Sequence, residues 1–257
     1  MNSWKIIRGD CVETMRGMDP ASVDLVFADP PYNIGIDYGE HYDDDKTDEE
    51  YVRWCFLWMK NAYRVLKSGG SFWLLCNHEY VVELDVMARR VGFHRQQWIT
   101  WYESFGVNCS KRFNRTSRPL LWYTMHTDKF TANHLDPEVR RPSDRQVKYN
   151  DPRANPAGKI WDDVWGINPP IPRVCGTFKE RIKEFPTQLP LKLLRPVVAY
   201  SSNPGDLVLD PFSGSGSTGV VCLEKSRRYI GIELSEKFAD LSIKRLTEVE
   251  GSMQKSA

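Results

Sequence analysis

The chain has 257 residues, of which 41% are hydrophobic and 27% charged, and its net charge is +1, which is typical of a globular protein. No apolar run approaches the roughly 20 residues of a membrane span, and the first ten residues lack the apolar segment of a signal peptide. The six cysteines are scattered without a CxxC pair. We therefore predict a cytoplasmic protein with no membrane contact, no disulfide framework and no metal site.

Strands and helices alternate along most of the sequence. We predict strands at 4–10, 23–29, 71–76, 96–104, 119–126, 206–210 and 229–233. We predict helices at 48–66, 79–90, 190–200, 216–225 and 235–248. Asp48 can cap the first helix, and Gly69 and Gly70 are expected to end it. This alternation predicts an α/β fold in which a mostly parallel sheet carries helices on both faces.

Residues 127–186 interrupt this alternation. They are rich in Pro, Asn, Asp and Arg and show little periodicity, and so long a loop in a compact domain is usually functional or disordered. The charge is also uneven. Residues 10–50 carry 13 acidic and 2 basic side chains, whereas residues 109–159 carry 11 Lys or Arg and 5 acids. An Arg-rich block in a neutral chain is compatible with a polyanion partner, although a solvated surface is the commoner explanation.

The stretch LVFADPPYNIG, residues 25–35, ends a buried strand with a carboxylate, two prolines and an aromatic ring. Two consecutive prolines fix two φ angles, so the loop that carries Asp29 and Tyr32 is stiff. A stiff loop that holds a carboxylate beside an aromatic face indicates a site. The alternative is an ordinary turn that ends a strand, because Pro, Asp and Asn are common turn residues.

A second turn, LVLDPFSGSGSTG at 207–219, places Gly214, Gly216 and Gly219 in the pattern G-x-G-x-x-G between a strand and a helix. Glu233 follows at the end of the next strand, where an acidic residue can bind a ribose hydroxyl. Either a dinucleotide or S-adenosylmethionine would present such a ribose. A tight turn that merely requires small residues is the structural alternative.

The neighbouring acids distinguish the two cofactors. Asp10, Asp29 and Asp210 each follow or end a predicted strand, so they are expected to gather at the carboxyl edge of the sheet, where ligands bind. Their charge would repel a pyrophosphate and attract the sulfonium and ammonium groups of S-adenosylmethionine. A single strand follows the glycine turn, so the strand at 4–10 is expected to complete the sheet in a circularly permuted order.

Together these motifs resemble the DNA amino-methyltransferases of the permuted β class. ADPPY (28–32) resembles the catalytic motif of that family, and DPFSGSGST (210–218) resembles its methionine-binding motif. GDC (9–11) is similar to the acidic element near the adenine of the cofactor. FPTQLP (185–190) resembles the family's H-P-T-Q-K-P segment, with Phe185 in place of His and Leu189 in place of Lys.

The resemblance implies a Rossmann-like methyltransferase fold that uses S-adenosyl-L-methionine and methylates the N6 amine of a flipped-out adenine in double-stranded DNA. It implies that the catalytic residues are Asp29, Pro30, Pro31 and Tyr32. Asp29 and the Pro30 carbonyl would accept hydrogen bonds from the amine, and Tyr32 would stack on the base. The implied cofactor residues are Asp10, Cys11, Asp29, Thr187, Gln188, Asp210, Phe212, Ser213, Gly214, Ser215, Gly216, Ser217, Thr218, Glu233 and Leu234.

We predict three segments: a catalytic half at 1–126, a target-recognition region at 127–184, and a cofactor-binding half of the same domain at 185–257. The candidate DNA-binding residues are Lys111, Arg112, Arg115, Arg118, Arg140, Arg141 and Arg145. The first four are expected between two strands. Trp161 and Trp165 are expected to pack rather than to stack on bases, and Phe105 is a candidate to face Tyr32 across the base. Gly35 and Gly39 are compatible with room for a purine.

Four alternatives remain at this level. The same fold could methylate cytosine N4, RNA or a protein amide. The chain could also be a non-catalytic DNA-binding subunit of a modification complex, although the retention of Asp29, Tyr32 and Glu233 disfavours this. A homodimer, a cognate restriction endonuclease and association with the nucleoid are further expectations.

Overall fold

A computed structural model describes residues 3–36, 42, 44–104, 109–176 and 178–256. Two of the sequence expectations, the positions of Phe105 and Gly39, lie outside the described residues. In the described part of the chain, no helix is both long and apolar enough to cross a membrane.

The described residues form ten strands and seven α-helices. The strands are β1 Trp4–Arg8, β2 Val23–Ala28, β3 Leu66–Leu75, β4 His94–Tyr102, β5 Ser117–Thr124, β6 Arg140–Arg141, β7 Lys159–Ile160, β8 Val164–Trp165, β9 Leu207–Asp210 and β10 Arg228–Glu233. The helices are α1 Cys11–Arg16, α2 Asp48–Val65, α3 Val81–Val91, α4 Asp144–Val147, α5 Leu191–Ser201, α6 Ser217–Glu224 and α7 Glu236–Ser256.

Eight strands form one sheet in the order β1-β10-β9-β2-β3-β5-β4-β8. Neighbouring strands from β1 to β3 are parallel, whereas β5 runs antiparallel to both β3 and β4. The prediction that the first strand completes the sheet is confirmed, because β1 pairs with β10 along its whole length. The predicted mostly parallel α/β fold is confirmed as well.

The two faces of the sheet bury two separate apolar clusters. Val26 and Ala28 of β2 face the cluster that includes side chains of α1, α2 and α3. Leu25 and Phe27 of the same strand face the cluster that includes side chains of α5, α6 and α7. Successive side chains of a strand point to opposite faces. A short apolar strand therefore anchors both helical layers.

Hydrogen bonds also fasten α7 to the first strand. The Ser3 hydroxyl donates to Glu250 Oε1 at 3.0 Å, and the Trp4 indole donates to Glu250 Oε2 at 3.2 Å. Arg8 at the other end of β1 pairs with Asp240. This helix is longer than predicted from the sequence and continues to Ser256.

The boundary between α2 and β3 differs from the prediction. The helix ends at Val65, and Gly69 and Gly70 lie inside β3 rather than at the end of the helix. A Cβ atom at Gly70 would lie 2.8 Å from the Asp24 carbonyl oxygen, so the close approach of β2 requires glycine there. Thr47, not Asp48, caps the helix, because its hydroxyl accepts from the Glu50 N–H.

The irregular region also contributes a strand to the main sheet. Its short strand β8 pairs with β4 at the edge of the sheet. The Trp161 and Trp165 rings meet edge to face at 5.4 Å, and Trp165 also lies 5.9 Å from the Trp73 ring. The prediction that both tryptophans pack is therefore confirmed.

Candidate active site

Four acidic side chains meet at the carboxyl ends of neighbouring parallel strands. Asp29 follows β2, Asp210 ends β9, Glu233 ends β10, and Asp10 lies two residues beyond β1. All four line one pocket, together with the Tyr32 ring and residues of the glycine loop. Ligands of open α/β sheets bind at this carboxyl edge. The pocket therefore lies where a cofactor and a base would be expected to meet.

Almost all of the residues implied by the resemblance line this pocket. The four catalytic candidates, Asp29 to Tyr32, are among them. Of the cofactor candidates, Gly216 is the one that falls outside the lining; it instead caps α6 with a left-handed φ of 73°. Gly9, Phe185, Leu189 and Pro211 of the quoted motifs also line the pocket. The lining residues that no sequence pattern indicated are Phe27, Tyr42, Trp54, Trp101, Glu103, Arg173, Ile232, Ser235 and Phe238.

Asp210 is the most deeply buried of the four acids. One carboxylate oxygen accepts a 3.0 Å hydrogen bond from the Phe212 N–H, and the Phe212 ring packs against Trp54 and Trp58. Burial raises the pKa of Asp210 to about 7, opposed by hydrogen bonds from Thr218 and the Phe212 backbone. The charges of Asp29 and Glu233 raise it further. A bound cation would relieve this crowding of negative charge.

Glu233 is fixed by two backbone donors. Its carboxylate accepts from Gly214 N–H at 2.8 Å and from Ser235 N–H at 2.9 Å. Burial raises the pKa of Glu233, and these backbone hydrogen bonds oppose the shift. Gly214 has a φ of 51°, and a Cβ there would lie 2.6 Å from the Phe185 ring. Phe185, the departure from the family motif, thus packs against the glycine loop.

Other cofactor candidates already have partners within the protein. The Asp10 carboxylate caps α1 by accepting from Glu13 N–H at 2.9 Å, and Cys11 beside it is buried. The Gln188 side chain accepts from Ile182 N–H at 2.7 Å and donates to the Glu180 carbonyl at 2.6 Å. Gln188 therefore holds its own loop in place, while the pocket wall includes Thr187 beside it.

The loop after β2 holds its carboxylate and ring together. The Tyr32 hydroxyl donates to Asp29 Oδ1 at 2.5 Å, and the Tyr51 hydroxyl of α2 donates to the Pro31 carbonyl at 2.8 Å. In the described part of the chain, no hydrogen bond reaches the Pro30 carbonyl. None of the described donors therefore competes for that oxygen.

Asp44, which the sequence analysis did not select, braces the next four residues. It is 3% exposed, and its carboxylate accepts from the N–H groups of Asn33, Ile34 and Ile36 at 2.8–3.1 Å. Its own carbonyl accepts from Gly35 N–H. A carboxylate that satisfies several successive N–H groups fixes a loop that has no regular secondary structure.

The structure places Arg118 in a different position from the prediction. Arg118 is not in a loop between strands but in β5, where its Nε donates to Glu103 Oε2 at 3.1 Å. Its guanidinium lies 5.2 Å from the centre of the Tyr32 ring. Both Arg118 and Glu103 line the pocket. The pairing of Tyr102 with Ser117 across β4 and β5 brings them together, and the sequence contains no signal for that register.

Burial raises the pKa of Asp29 to about 6. The hydrogen bond from Tyr32 and the charge of Arg118 oppose this shift, while Glu103 adds to it. The carboxylate is therefore mostly ionised at neutral pH but can take up a proton with a small change in its surroundings. Such perturbed carboxyl groups in clefts are frequent at catalytic sites.

The other predicted DNA-binding residues fall into two groups. Lys111, Arg112 and Arg145 are exposed, and the structure as described gives their side chains no hydrogen bond or ion pair. The remaining three are engaged by the protein. Arg115 bonds Glu79 at 2.6 Å, Arg140 donates to the carbonyls of His134, Ala157 and Gly158, and Arg141 pairs with Asp162.

Among the residues that the structure describes, no three His, Cys, Asp or Glu side chains form a cluster suited to a metal ion. The six cysteines are all free thiols.

Known proteins are similar to this chain along most of its length. A sequence model of the DNA methylase family, N6_N4_Mtase, matches residues 23–244. DNA adenine methyltransferase YhdJ of Escherichia coli K12 is 34% identical over 94% of this chain and 82% of its own length. Type II methyltransferase M.HpaI of Haemophilus parainfluenzae is 32% identical over 94% of this chain and 74% of its own.

A solved structure has the same fold. M1.HpyAVI in complex with SAM superimposes with a TM-score of 0.65 at 20% identity, covering 95% of this chain and 98% of that one. The family match spans both the Asp29 loop and the glycine loop. The chain therefore belongs to the DNA methylase family.

Proposed function

We propose that this enzyme transfers a methyl group from S-adenosyl-L-methionine to the N6 amine of adenine in double-stranded DNA. The observation that carries the proposal is the meeting of Asp29 and Tyr32 with Asp210 and Glu233 in one pocket. Asp29 and Tyr32 are suited to bind a base that carries the amine which accepts the methyl group. Asp210 and Glu233 are suited to bind a positively charged cofactor that contains a ribose. The adenine product is favoured by the sequence similarity to YhdJ.

The lining of the pocket fits S-adenosyl-L-methionine. Its negative groups can balance an ammonium and a sulfonium, and Glu233 lies at the strand end where a ribose hydroxyl would meet it. Because Gly214 has no side chain, the Phe185 ring can pack directly against the glycine loop. When bound, this cofactor supplies an electrophilic methyl group.

The Asp29 loop prepares the nucleophile. The lone pair of an exocyclic amine is delocalised into its ring, so two acceptors on the amine protons help to free it. Asp29 supplies one acceptor and the Pro30 carbonyl the other, and the two prolines keep them at a fixed spacing. Tyr32 provides the face for stacking, which is worth about 1–3 kcal/mol per base. The amine nitrogen would gain the methyl group as the cofactor's sulfur–methyl bond breaks, and Asp29 would accept the proton that the amine loses.

The DNA is proposed to lie over the loop between β4 and β5 and over region 127–184, the target-recognition region of our three-segment division. Lys111, Arg112 and Arg145 are exposed cations in these segments, and each can contact a phosphate. Phe113 between them is 99% exposed and can contact a base. We also propose a cytoplasmic location, near the nucleoid, and a restriction endonuclease and a second copy of the chain as partners.

The product identifies the reaction. Duplex DNA methylated by the purified protein is digested to nucleosides and analysed by mass spectrometry, with RNA and protein offered in parallel. N6-methyl-2′-deoxyadenosine from the DNA, and no methylated product from the RNA or the protein, is expected. If N4-methylcytosine were the sole product, the target base would be cytosine and not adenine, and the proposed roles of Asp29 and Tyr32 would stand. No methylated product from any substrate would contradict the proposal.

A further inference from the structure

An ion pair is buried beside the catalytic loop. The side chains of Glu103 and Arg118 are 7% and 20% exposed, and their contact is a single hydrogen bond of 3.1 Å. Removing two charges from water often costs as much as their attraction returns. Stability alone therefore does not account for a charged pair at this position, and its location in the pocket indicates a role there.

The pair is held rigidly at the end of a strand hairpin. The Glu103 N–H donates to the Thr116 carbonyl at 2.9 Å, and the Glu103 carbonyl accepts from Arg173 N–H at 3.2 Å. Arg118 follows Ser117 at the start of β5, which pairs with Tyr102 of β4. The distance between these charges and the pocket is thus set by the sheet and not by a mobile loop.

Arg118 connects the pair to the catalytic carboxylate. Its guanidinium lies over the Tyr32 ring at 5.2 Å, and the Tyr32 hydroxyl donates to Asp29 at 2.5 Å. A cation above the ring also favours one orientation of Tyr32. A chain of contacts therefore runs from the negative Glu103 to the positive Arg118. It continues through the neutral Tyr32 to the negative Asp29.

We propose that Arg118 and Glu103 are opposed positioning residues that set how readily Asp29 takes up a proton. Arg118 stabilises the ionised carboxylate and orients Tyr32, whereas Glu103 holds the guanidinium and limits its effect. This inference rests on the proposed function in one respect, because it assumes that Asp29 is the acceptor for the target amine.

The charges around Asp29 agree with this role. Its pKa is raised to about 6 by burial and by Glu103, and is lowered by Tyr32 and Arg118. Two further titratable groups feel its charge. The pKa of Asp210 at the end of β9 and that of the Cys76 thiol after β3 are both raised in part by Asp29. Arg118 is the one cation among these groups.

The test compares two variants that should move the same titration in opposite directions. Arg118→Met removes the positive charge and should raise the pKa of Asp29. The acidic limb of the pH–rate profile for DNA methylation should then move to higher pH by about one unit or more. Glu103→Gln removes the negative charge, so the acidic limb should move to lower pH by a similar amount. The carboxyl ¹³C resonance of Asp29, assigned with Asp29→Asn, should titrate with the same two shifts.

A matched pair of controls comes from the surface. Arg195 and Glu224 form a two-bonded ion pair at 2.9 and 3.0 Å on α5 and α6. Arg195→Met and Glu224→Gln should leave both titrations unchanged. If Arg118→Met does not fold, Arg118→Lys keeps the charge and should titrate as the parent does, while Glu103→Gln still gives the downward shift.

The outcomes separate the two proposals. Unchanged titrations in both variants, or shifts in the same direction, would overturn the inference. The NMR titration does not depend on turnover. It therefore tests the inference even if the parent protein transfers no methyl group to DNA, a result that would count against the proposed function instead.

Discussion

The pocket and the irregular region hold their charges in opposite ways. In the pocket, Asp29, Asp210 and Glu233 are enclosed at strand ends, and burial shifts the pKa of each upward. In the irregular region, Lys148 pairs with Asp144 and Arg153 with Asp151 on the open surface. An exposed ion pair contributes about 0–1 kcal/mol to the stability of the fold, whereas the free energy of a buried charge depends strongly on its surroundings. Single substitutions should therefore have large effects in the pocket and small, additive ones in the irregular region.

The largest effect is expected at Asp29. Asp29→Ala should lower the single-turnover rate of methyl transfer by at least about 100-fold, because a positioned acceptor for the amine is lost. The affinity for S-adenosyl-L-methionine should change far less. Asp29→Asn, which keeps the shape and removes the charge, should be similarly impaired. A variant that turns over at nearly the parent rate would exclude the acceptor role.

Glu233 should show the next largest effect, on binding and not on chemistry. Glu233→Ala removes a carboxylate proposed to bind the ribose, so the Kd for S-adenosyl-L-methionine should rise by at least about tenfold. Calorimetric titration measures this, and DNA affinity serves as the internal control. Unchanged cofactor affinity with intact folding would show that Glu233 merely braces Gly214 and Ser235.

The buried acids should also make stability depend on pH in an unusual direction. A folded-state pKa of about 7 for Asp210 lies above its usual value of 3.8. The folded state then binds protons more tightly, so this contribution is present at pH 4 and lost as pH rises through 7. We expect Asp210→Asn to stabilise the cofactor-free protein by about 1–3 kcal/mol at pH 8 and little at pH 4. The free energy of unfolding, measured with denaturant at pH 4 and at pH 8, checks this. A variant that is less stable than the parent at pH 8 would contradict the prediction.

The smallest effects are expected from the exposed cations. Each of Lys111→Gln, Arg112→Gln and Arg145→Gln should lower the slope of log affinity for DNA against log salt by about one, because each neutralises about one phosphate. Arg90→Gln, in the last turn of α3, is the matched control on another surface. If the triple variant keeps the parent slope, the DNA lies on a different face.

The same contrast separates what the sequence could predict from what it could not. The Asp29 loop and the glycine loop were both predicted because their sequence signals are local. Each consists of an apolar strand, residues that end the strand, and residues suited to a turn. The pairing of Glu103 with Arg118 depends on the register of two antiparallel strands, and the brace from Asp44 depends on a chain that returns to the loop. Neither leaves a pattern in neighbouring residues.

Two residue types make contacts that the sequence alone did not indicate. Gly69 and Gly70 were wrongly predicted to end a helix, and Gly70 is required by the approach of β2. Arg140 stays a predicted DNA-binding residue, and its guanidinium donates to the carbonyls of His134, Ala157 and Gly158. In both cases a residue type with a common local role is used for a contact made by distant parts of the chain.

The pairing of β1 with β10 has a consequence for biosynthesis. Strand β1 cannot pair with its neighbour until residue 228 and those after it have been made. At about 5–20 residues per second, β1 waits roughly 10 s or more with its edge unpaired. An unpaired strand edge can join other chains. Nascent molecules are thus exposed to aggregation during this interval, and a chaperone that covers residues 4–8 would protect them.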